Sequence, residues 1–251
     1  MKNAAIVGLA LLLALSLPAA GKDSAALTLS RGARIGIVSL LEPELTHYHS
    51  SKAIQDSFLK TLTVSWHVDT LFVDAVRERL TQMGLEPVPL APSEGLERGR
   101  QHFFVDASVA KGLSSECADE FTRMAAANHV EAFVVLVPGA NDSSHAGRAR
   151  RKDLPDYLRG WGFVTYPQGS GTRPSVFNMT TVLLVSGTGG TALLRAREWG
   201  GAYDSDWTGY TPPADLKEIP DAQIDTLKPV FTDITARQSD RVLEHIEVIG
   251  Q

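Results

Sequence analysis

A serine and a lysine with the spacing of a catalytic pair occur in the first quarter of the chain. The segment Ser57-Phe58-Leu59-Lys60 matches Ser-x-x-Lys, which places an amine beside a hydroxyl on one face of a helix, as in penicillin-binding proteins and β-lactamases. The companion motifs Ser-Asp-Asn and Lys-Thr-Gly are absent, as is a Gly-x-Ser-x-Gly elbow. We therefore interpret Ser57 and Lys60 as part of a plain helical turn, with a serine hydrolase or transferase as the alternative function.

Two histidines could begin a metal site. His47 and His49 are separated by one residue, so an extended segment places both imidazoles on the same side. His67 or Asp69 could approach them from the next segment. No His-Glu-x-x-His motif is present. A metal-binding protein is a further alternative, against the simpler interpretation of surface loop histidines.

An acidic segment in the second half of the chain reproduces part of a calcium-binding loop. It begins at Asp204 and Asp206, and Asp215 stands at the twelfth position, where a glutamate normally closes the site. Thr208 at the fifth position and two prolines inside the loop depart from that pattern. We interpret the segment as a turn, and we predict neither a metal nor a cofactor for this chain.

The single cysteine offers little chemistry. Cys117 lies near the start of a predicted helix, where the helix dipole favours a thiolate. No base lies close to it along the chain, and one cysteine cannot form an internal disulfide. We expect a small, half-buried and dispensable residue.

Aromatic residues are concentrated in the second half of the chain. Three of the four tryptophans and four of the five tyrosines fall within residues 157–210. Aromatic side chains with a polar tip are suited to partner surfaces and to the faces of sugars, although they also fill cores. The candidate binding residues are Trp161, Tyr166, Trp199, Tyr203, Trp207 and Tyr210.

The N-terminal residues have the pattern of a secretory signal peptide. A short charged start precedes an apolar run over residues 4–17, which is too short to span a bilayer comfortably. Small residues follow at Ala19 and Gly21, so we expect cleavage before Lys22. The pattern predicts a signal peptide over residues 1–21 and a periplasmic or secreted protein.

Composition narrows the remaining function classes. The chain has 24 Lys and Arg against 29 Asp and Glu, a net charge of −5, which gives no electrostatic basis for binding nucleic acid. No later stretch is apolar enough to anchor the chain in a membrane after signal cleavage. Residues 22–251 suit one exported domain, with a polar loop or insertion near residues 139–156 that contains the basic cluster Arg148–Lys152.

The first half of the chain alternates strand and helix patterns. Gly84 follows the first helix where a C-terminal stop belongs, Asp69 precedes it as a candidate N-cap, and two prolines place the next strand at an edge. Alternation of this kind predicts a parallel sheet covered by helices. The predicted elements are a strand at 34–40, an extended segment at 61–68, a helix at 70–83, a strand at 85–90, a helix at 115–128 and a strand at 131–137.

The second half predicts antiparallel strands. Three strands are expected at 158–166, 176–185 and 191–199, with a glycine-rich hairpin turn at 186–190 between the last two. An apolar helical pattern over about 224–249 closes the chain. The predicted fold class is therefore α/β, with a parallel βαβαβ start that continues into antiparallel strands and ends in a C-terminal helix.

This order of elements resembles the periplasmic α/β modules of outer-membrane assembly and cell-wall-synthase accessory proteins. The resemblance spans residues 34–249 and is carried by the segments Ile35-Gly36-Ile37-Val38, Met83-Gly84 and Val130-Glu131-Ala132-Phe133-Val134-Val135. Members of that group are mostly non-catalytic, so the resemblance implies an adaptor. We expect a non-enzymatic cell-envelope protein that binds an envelope protein or a wall polymer, and no oligomeric state is predicted.

Overall fold

A mixed sheet with one very long strand organises the chain. The computed structural model describes residues 26–99, 103, 112–139, 158–168, 171–187, 192–199 and 205–250. The predicted signal peptide, the cluster Arg148–Lys152, Tyr203 and Asp204 lie outside the described residues. Within them, no helix is long and apolar enough to cross a membrane.

The strands and helices are numbered in chain order. The strands are β1 (Leu27–Ser30), β2 (Arg34–Ser39), β3 (Leu45–His49), β4 (Phe58–Leu62), β5 (Glu86–Leu90), β6 (Ala132–Pro138), β7 (Gly160–Gln168), β8 (Gly171–Ser186), β9 (Leu193–Trp199), β10 (Ser205–Asp206) and β11 (Ile246–Ile249). The helices are α1 (Val68–Gln82), α2 (Glu94–Arg98), α3 (Ser115–Asn128), α4 (Asp221–Ile224) and α5 (Lys228–Leu243).

The parallel part of the fold is as the sequence predicts. Strand β2 pairs in parallel with β5 on one side and with β6 on the other. Both faces are buried, because Ile35 and Ile37 pack in the core that contains α1 and α5, while Val38 packs with α3. A parallel sheet covered on both faces explains the nearly continuous apolar run of β2. The α/β fold class is confirmed.

The limits of α1 confirm one predicted signal and correct another. Gly84 has a φ of +77° directly after the helix, a conformation that glycine adopts without steric cost. His67, not Asp69, is the N-cap, and its side chain makes no capping hydrogen bond. Asp69 lies inside the first turn, where its carboxylate interacts favourably with the positive end of the helix dipole.

The long strand β8 joins the two halves of the sheet. Its first part pairs with β7 and β10, and its second part pairs with β6 and β9, all in the antiparallel sense. The sheet order is β4-β3-β7-β8-β6-β2-β5, so β5 with its two prolines is an edge strand, as predicted. The predicted antiparallel second half is confirmed.

Two predictions of secondary structure from the sequence are wrong. Residues 45–62 form the antiparallel pair β3 and β4, where we predicted a helical turn around Ser57 and only a later extended segment. The closing helix ends at Leu243, and the final residues form β11, which pairs in parallel with β1. Ile246 and Val248 alternate with exposed residues, which is the period of two of a strand. The predicted helix over about 224–249 wrongly included these residues.

Candidate functional site

An open groove lies where the start of β4 meets the loop that precedes α4. Its volume is about 440 Å³, within the range of ligand pockets. We call it the groove throughout. It is lined by His49, Gln55, Asp56, Ser57, Phe58, Ala214, Asp215, Leu216 and Lys217.

Strand β3 places His49 in the lining of the groove and His47 behind it. The alternation of β3 directs His47 and His49 to the same face, as the sequence predicts. That face is buried, so the interpretation of both as surface loop histidines is wrong. Parallel pairing with β7 sets His49 opposite Thr165. The Thr165 hydroxyl oxygen lies 2.8 Å from Nε2 of His47 and 2.9 Å from Nδ1 of His49. One hydroxyl therefore bridges both imidazoles.

Aromatic rings enclose the two imidazoles. His47 stacks on Phe163 with ring centroids 4.5 Å apart, and His49 stacks on Phe58 at 5.3 Å. The Phe58 ring also meets the edge of His47 at 5.1 Å. These contacts hold both histidine rings in fixed orientations.

Burial keeps both histidines neutral. Desolvation, followed by the charges of His49 and Lys60, lowers the pKa of His47 to about 3. Desolvation also lowers the pKa of His49, against the opposing effects of the Thr165 backbone and the Asp56 carboxylate. At neutral pH each imidazole thus has one N–H donor and one bare acceptor nitrogen.

Lysine side chains connect β4 to the loop at the rim of the groove. Lys60 Nζ donates to the Lys217 carbonyl oxygen at 2.6 Å and lies 3.6 Å from a Glu218 carboxylate oxygen. The ammonium of Lys217 lies 5.5 Å from the centre of the Phe58 ring. Asp215 Oδ1 accepts the Lys217 backbone N–H at 2.9 Å, so this carboxylate also orders its own loop. The rim has both signs of charge.

The predicted serine–lysine pair is not formed. Ser57 precedes β4 and Lys60 lies within it, so the helical turn on which the pairing depends is absent. The Ser57 hydroxyl accepts the Ser51 backbone N–H at 2.9 Å, whereas Lys60 bonds to the loop at Lys217. No hydrogen bond joins Ser57 to a lysine or histidine among the described residues.

The predicted metal ligands are only partly brought together. His47 and His49 share a face, but His67 and Asp69 lie at the start of α1. Among the residues that the structure describes, no group of three or more His, Cys, Asp or Glu side chains is arranged to hold a metal ion. Asp204 lies outside them, so the interpretation of its segment as a turn, rather than a calcium-binding loop, stays a prediction.

The aromatic candidates occupy several environments away from the groove. Trp161 is 2% exposed and Trp207 is 4% exposed, so both indoles are core residues in this structure. Tyr166 is half-buried against an apolar cluster of the sheet, and Tyr210 is half-buried against Trp207. Burial raises the pKa of Tyr210 to about 12. The Trp199 side chain and Tyr203 are outside the described residues.

Cys117 is more deeply buried than its sequence position suggests. It is 2% exposed and packs beside α2, where a Cβ at Gly99 would lie 3.2 Å from its sulfur. Burial raises the pKa of the thiol, which outweighs the position near the helix N-terminus. The expected preference for a thiolate is therefore reversed.

Sequence patterns could identify only part of the site. The alternation of Leu45, His47 and His49 signals a strand face, but nothing in the sequence points to Thr165, which lies more than 100 positions away. Lys217 reaches Phe58 over a similar separation. These residues meet because of the β3–β7 pairing and the position of the loop before α4.

Comparison with known proteins identifies no family for this chain. No protein-family model and no curated protein sequence matches it. A solved structure that aligns with it is described as a dodecamer of a singly substituted PelC from Paraburkholderia phytofirmans. The two chains are 11% identical, the alignment covers 89% of this chain and 94% of that chain, and the TM-score is 0.28. A TM-score this low shows no shared fold, and no function is inferred from it.

Proposed function

We propose that this chain is an exported cell-envelope protein that binds another envelope component, a protein or a wall polymer, in the groove and catalyses no reaction. The observation that carries the proposal is the groove itself. It combines the neutral donor His49, the apolar ring of Phe58 and charged groups of both signs in one open cleft. Ligand sites are typically concave and place polar groups that fix orientation beside apolar surface.

The chemistry of the lining supports binding over catalysis. A nucleophile needs an adjacent base within hydrogen-bond reach. Ser57 is bonded to a backbone amide instead, and His47, at 0% exposure, is sealed from any substrate. Lys60 is bonded to the Lys217 carbonyl oxygen and lies beside the Glu218 carboxylate, so its amine is not paired with Ser57.

The N-terminal sequence supports export. The apolar run and the small residues before Lys22 fit signal-peptidase cleavage. Intact-mass measurement of protein recovered from the periplasm should show the loss of residues 1–21. Full-length protein confined to the cytoplasm would contradict export.

Site-specific crosslinking in cells tests the binding function. A photoreactive amino acid in place of Gln55, at the rim of the groove, should attach to an envelope protein or to wall material on illumination. The matched control replaces Leu193, an exposed residue of β9 in the other half of the sheet. Crosslinks from both positions alike, or from Leu193 alone, would overturn the groove as the binding site.

A further inference from the structure

The hydrogen atoms shared by His47, Thr165 and His49 can be assigned by counting donors and acceptors. The Thr165 hydroxyl has one hydrogen, so it donates to one imidazole at most. Both imidazoles are neutral, and each has one N–H. His47 has a further constraint, because its Nδ1 is buried and has no hydrogen-bond partner in the part of the chain that the structure describes.

Three arrangements are available, and they differ in what they leave unpaired. If Thr165 donates to His47, then Nδ1 of His47 carries a hydrogen that is buried without an acceptor. If both histidines donate to Thr165, with His49 donating either to its hydroxyl or to its backbone carbonyl, the hydroxyl hydrogen of Thr165 has no acceptor among the described residues. If His47 donates to Thr165 and Thr165 donates to His49, only a lone pair on Nδ1 of His47 is unpaired.

The third arrangement is the most favourable. A buried N–H without a partner is rarer in proteins than an acceptor with an unused lone pair. The hydrogen bonds then run in one direction, from Nε2 of His47 to Thr165 and from Thr165 to Nδ1 of His49. His49 consequently carries its hydrogen on Nε2, the nitrogen that is free to meet a ligand at the groove.

We infer that Thr165 and His47 hold His49 as a neutral imidazole with its Nε2–H available to the groove, where it donates to an uncharged oxygen of a saccharide ligand. This inference rests on the proposed function, because it names the chemical class of the component that the groove binds. Thr165 and His47 are positioning residues, since His47 is sealed in the core and acts only through the hydroxyl.

The rest of the lining suits a hydroxyl-rich ligand better than an anionic one. Asp56 and Asp215 provide acceptors for ligand hydroxyls, and Gln55 provides both a donor and an acceptor. Opposite these polar groups, Phe58 offers apolar surface of the kind that packs on sugar rings. Two carboxylates beside one ammonium disfavour an anion.

Nitrogen-15 NMR of the histidine side chains tests the hydrogen assignment directly. In the exported protein at neutral pH, we expect His47 and His49 both to show the neutral form protonated at Nε2. Thr165→Val removes the hydroxyl at nearly constant shape, and His49 should then lose its single tautomer, whereas Thr165→Ser should retain it. A wild-type His49 that is protonated at Nδ1, or charged, would overturn the inference.

Titration with chitotetraose, a soluble oligomer of N-acetylglucosamine, tests the ligand class. Binding should shift the His49 resonances, and Thr165→Val should weaken binding about tenfold, which equals about 1.4 kcal/mol at 25 °C. Thr165→Ser should bind as the wild type does, which separates the hydroxyl's role from general damage to the fold. Equal binding by wild type and Thr165→Val would refute the positioning role.

The two proposals fail separately. If chitotetraose produces no shift while crosslinks from Gln55 still form in cells, the saccharide assignment is wrong and the binding function stands. If neither occurs, both are wrong. Binding that shifts residues elsewhere and leaves His49 unmoved also overturns the inference, because the ligand would then occupy a different surface.

Discussion

Nε1 of Trp207 donates a hydrogen bond to the hydroxyl of Thr226 at 2.6 Å. The centroid of the same indole lies 4.9 Å from that of the Phe163 ring, which stacks on His47. Trp207 therefore connects the segment before α5 to the rings around His47. A side chain held in this way, with its polar tip satisfied inside the protein, contributes to packing. Trp207 therefore belongs to the interior, and the binding role predicted for the aromatic residues stays a prediction.

Truncation of the buried tryptophans should cost stability. We expect Trp161→Ala and Trp207→Ala each to lower the free energy of unfolding by about 3–5 kcal/mol, the usual range for buried aromatic residues. Urea unfolding measures the change, and Tyr166→Phe, a half-buried position, serves as a mild control. Near-native stability of either tryptophan variant, together with loss of crosslinking, would restore the aromatic binding surface.

A side chain at Gly162 should disrupt the pairing that builds the site. A Cβ there would lie 1.9 Å from the Thr46 carbonyl oxygen, a backbone atom of β3 that cannot move away easily. Gly162→Ala should therefore cost about 3 kcal/mol or more and separate His47 from Thr165. Gly209→Ala is the control, since Gly209 has a positive φ but open space around it, and it should cost about 1–2 kcal/mol. Equal effects would contradict the close approach of the strands.

Acid should destabilise the protein partly through His47. Its pKa is lowered to about 3 in the folded state, against about 6.5 in an unfolded chain. Between those pH values the unfolded state binds more protons than the folded state does. The contribution of His47 to the free energy of unfolding is therefore complete above about pH 6.5 and is lost as the pH falls toward about 3.

The contribution of His47 can be isolated with a variant that does not titrate. Between about pH 7 and about pH 5, the contribution of His47 to the free energy of unfolding falls by at most about 2 kcal/mol. Urea midpoints at both pH values should differ less for His47→Gln than for the wild type. An identical pH dependence in the two proteins would show that His47 is not held neutral by the fold.

Cys117 should be inert and dispensable. Because burial raises the pKa of its thiol, native protein should react with iodoacetamide far more slowly than unfolded protein at neutral pH. Cys117→Ala should cost about 1–2 kcal/mol with crosslinking unchanged. Rapid modification of the native protein, or lost crosslinking at normal stability, would indicate a functional thiol.

Ser57 and Lys60 should not support acyl transfer. A fluorescent penicillin and a fluorophosphonate should both leave the protein unlabelled, because the hydroxyl and the amine are bonded to different partners. Ser57→Ala should change the unfolding free energy by about 1 kcal/mol through loss of the bond to Ser51. Covalent labelling that Ser57→Ala abolishes would overturn the non-enzymatic function.

Local sequence signals determined most of the scaffold. The helix at Ser115–Asn128 was predicted at both ends, and Gly84 marked the end of α1, because capping and turn preferences depend on neighbouring residues. The strands β2 and β6 were recognisable because a parallel strand covered on both faces needs continuous apolar residues. The parallel start and antiparallel continuation followed from those elements.

Only the tertiary structure decided where the site lies. Residues 45–62 form a strand pair because β3 pairs with β7, and β1 pairs with β11 from the opposite end of the chain. The Thr165 hydroxyl between His47 and His49 depends on the same long-range register. Strand pairing between distant segments is set by the packing of the whole chain, so residue types and spacing identified the two histidines but not the hydroxyl that orders them.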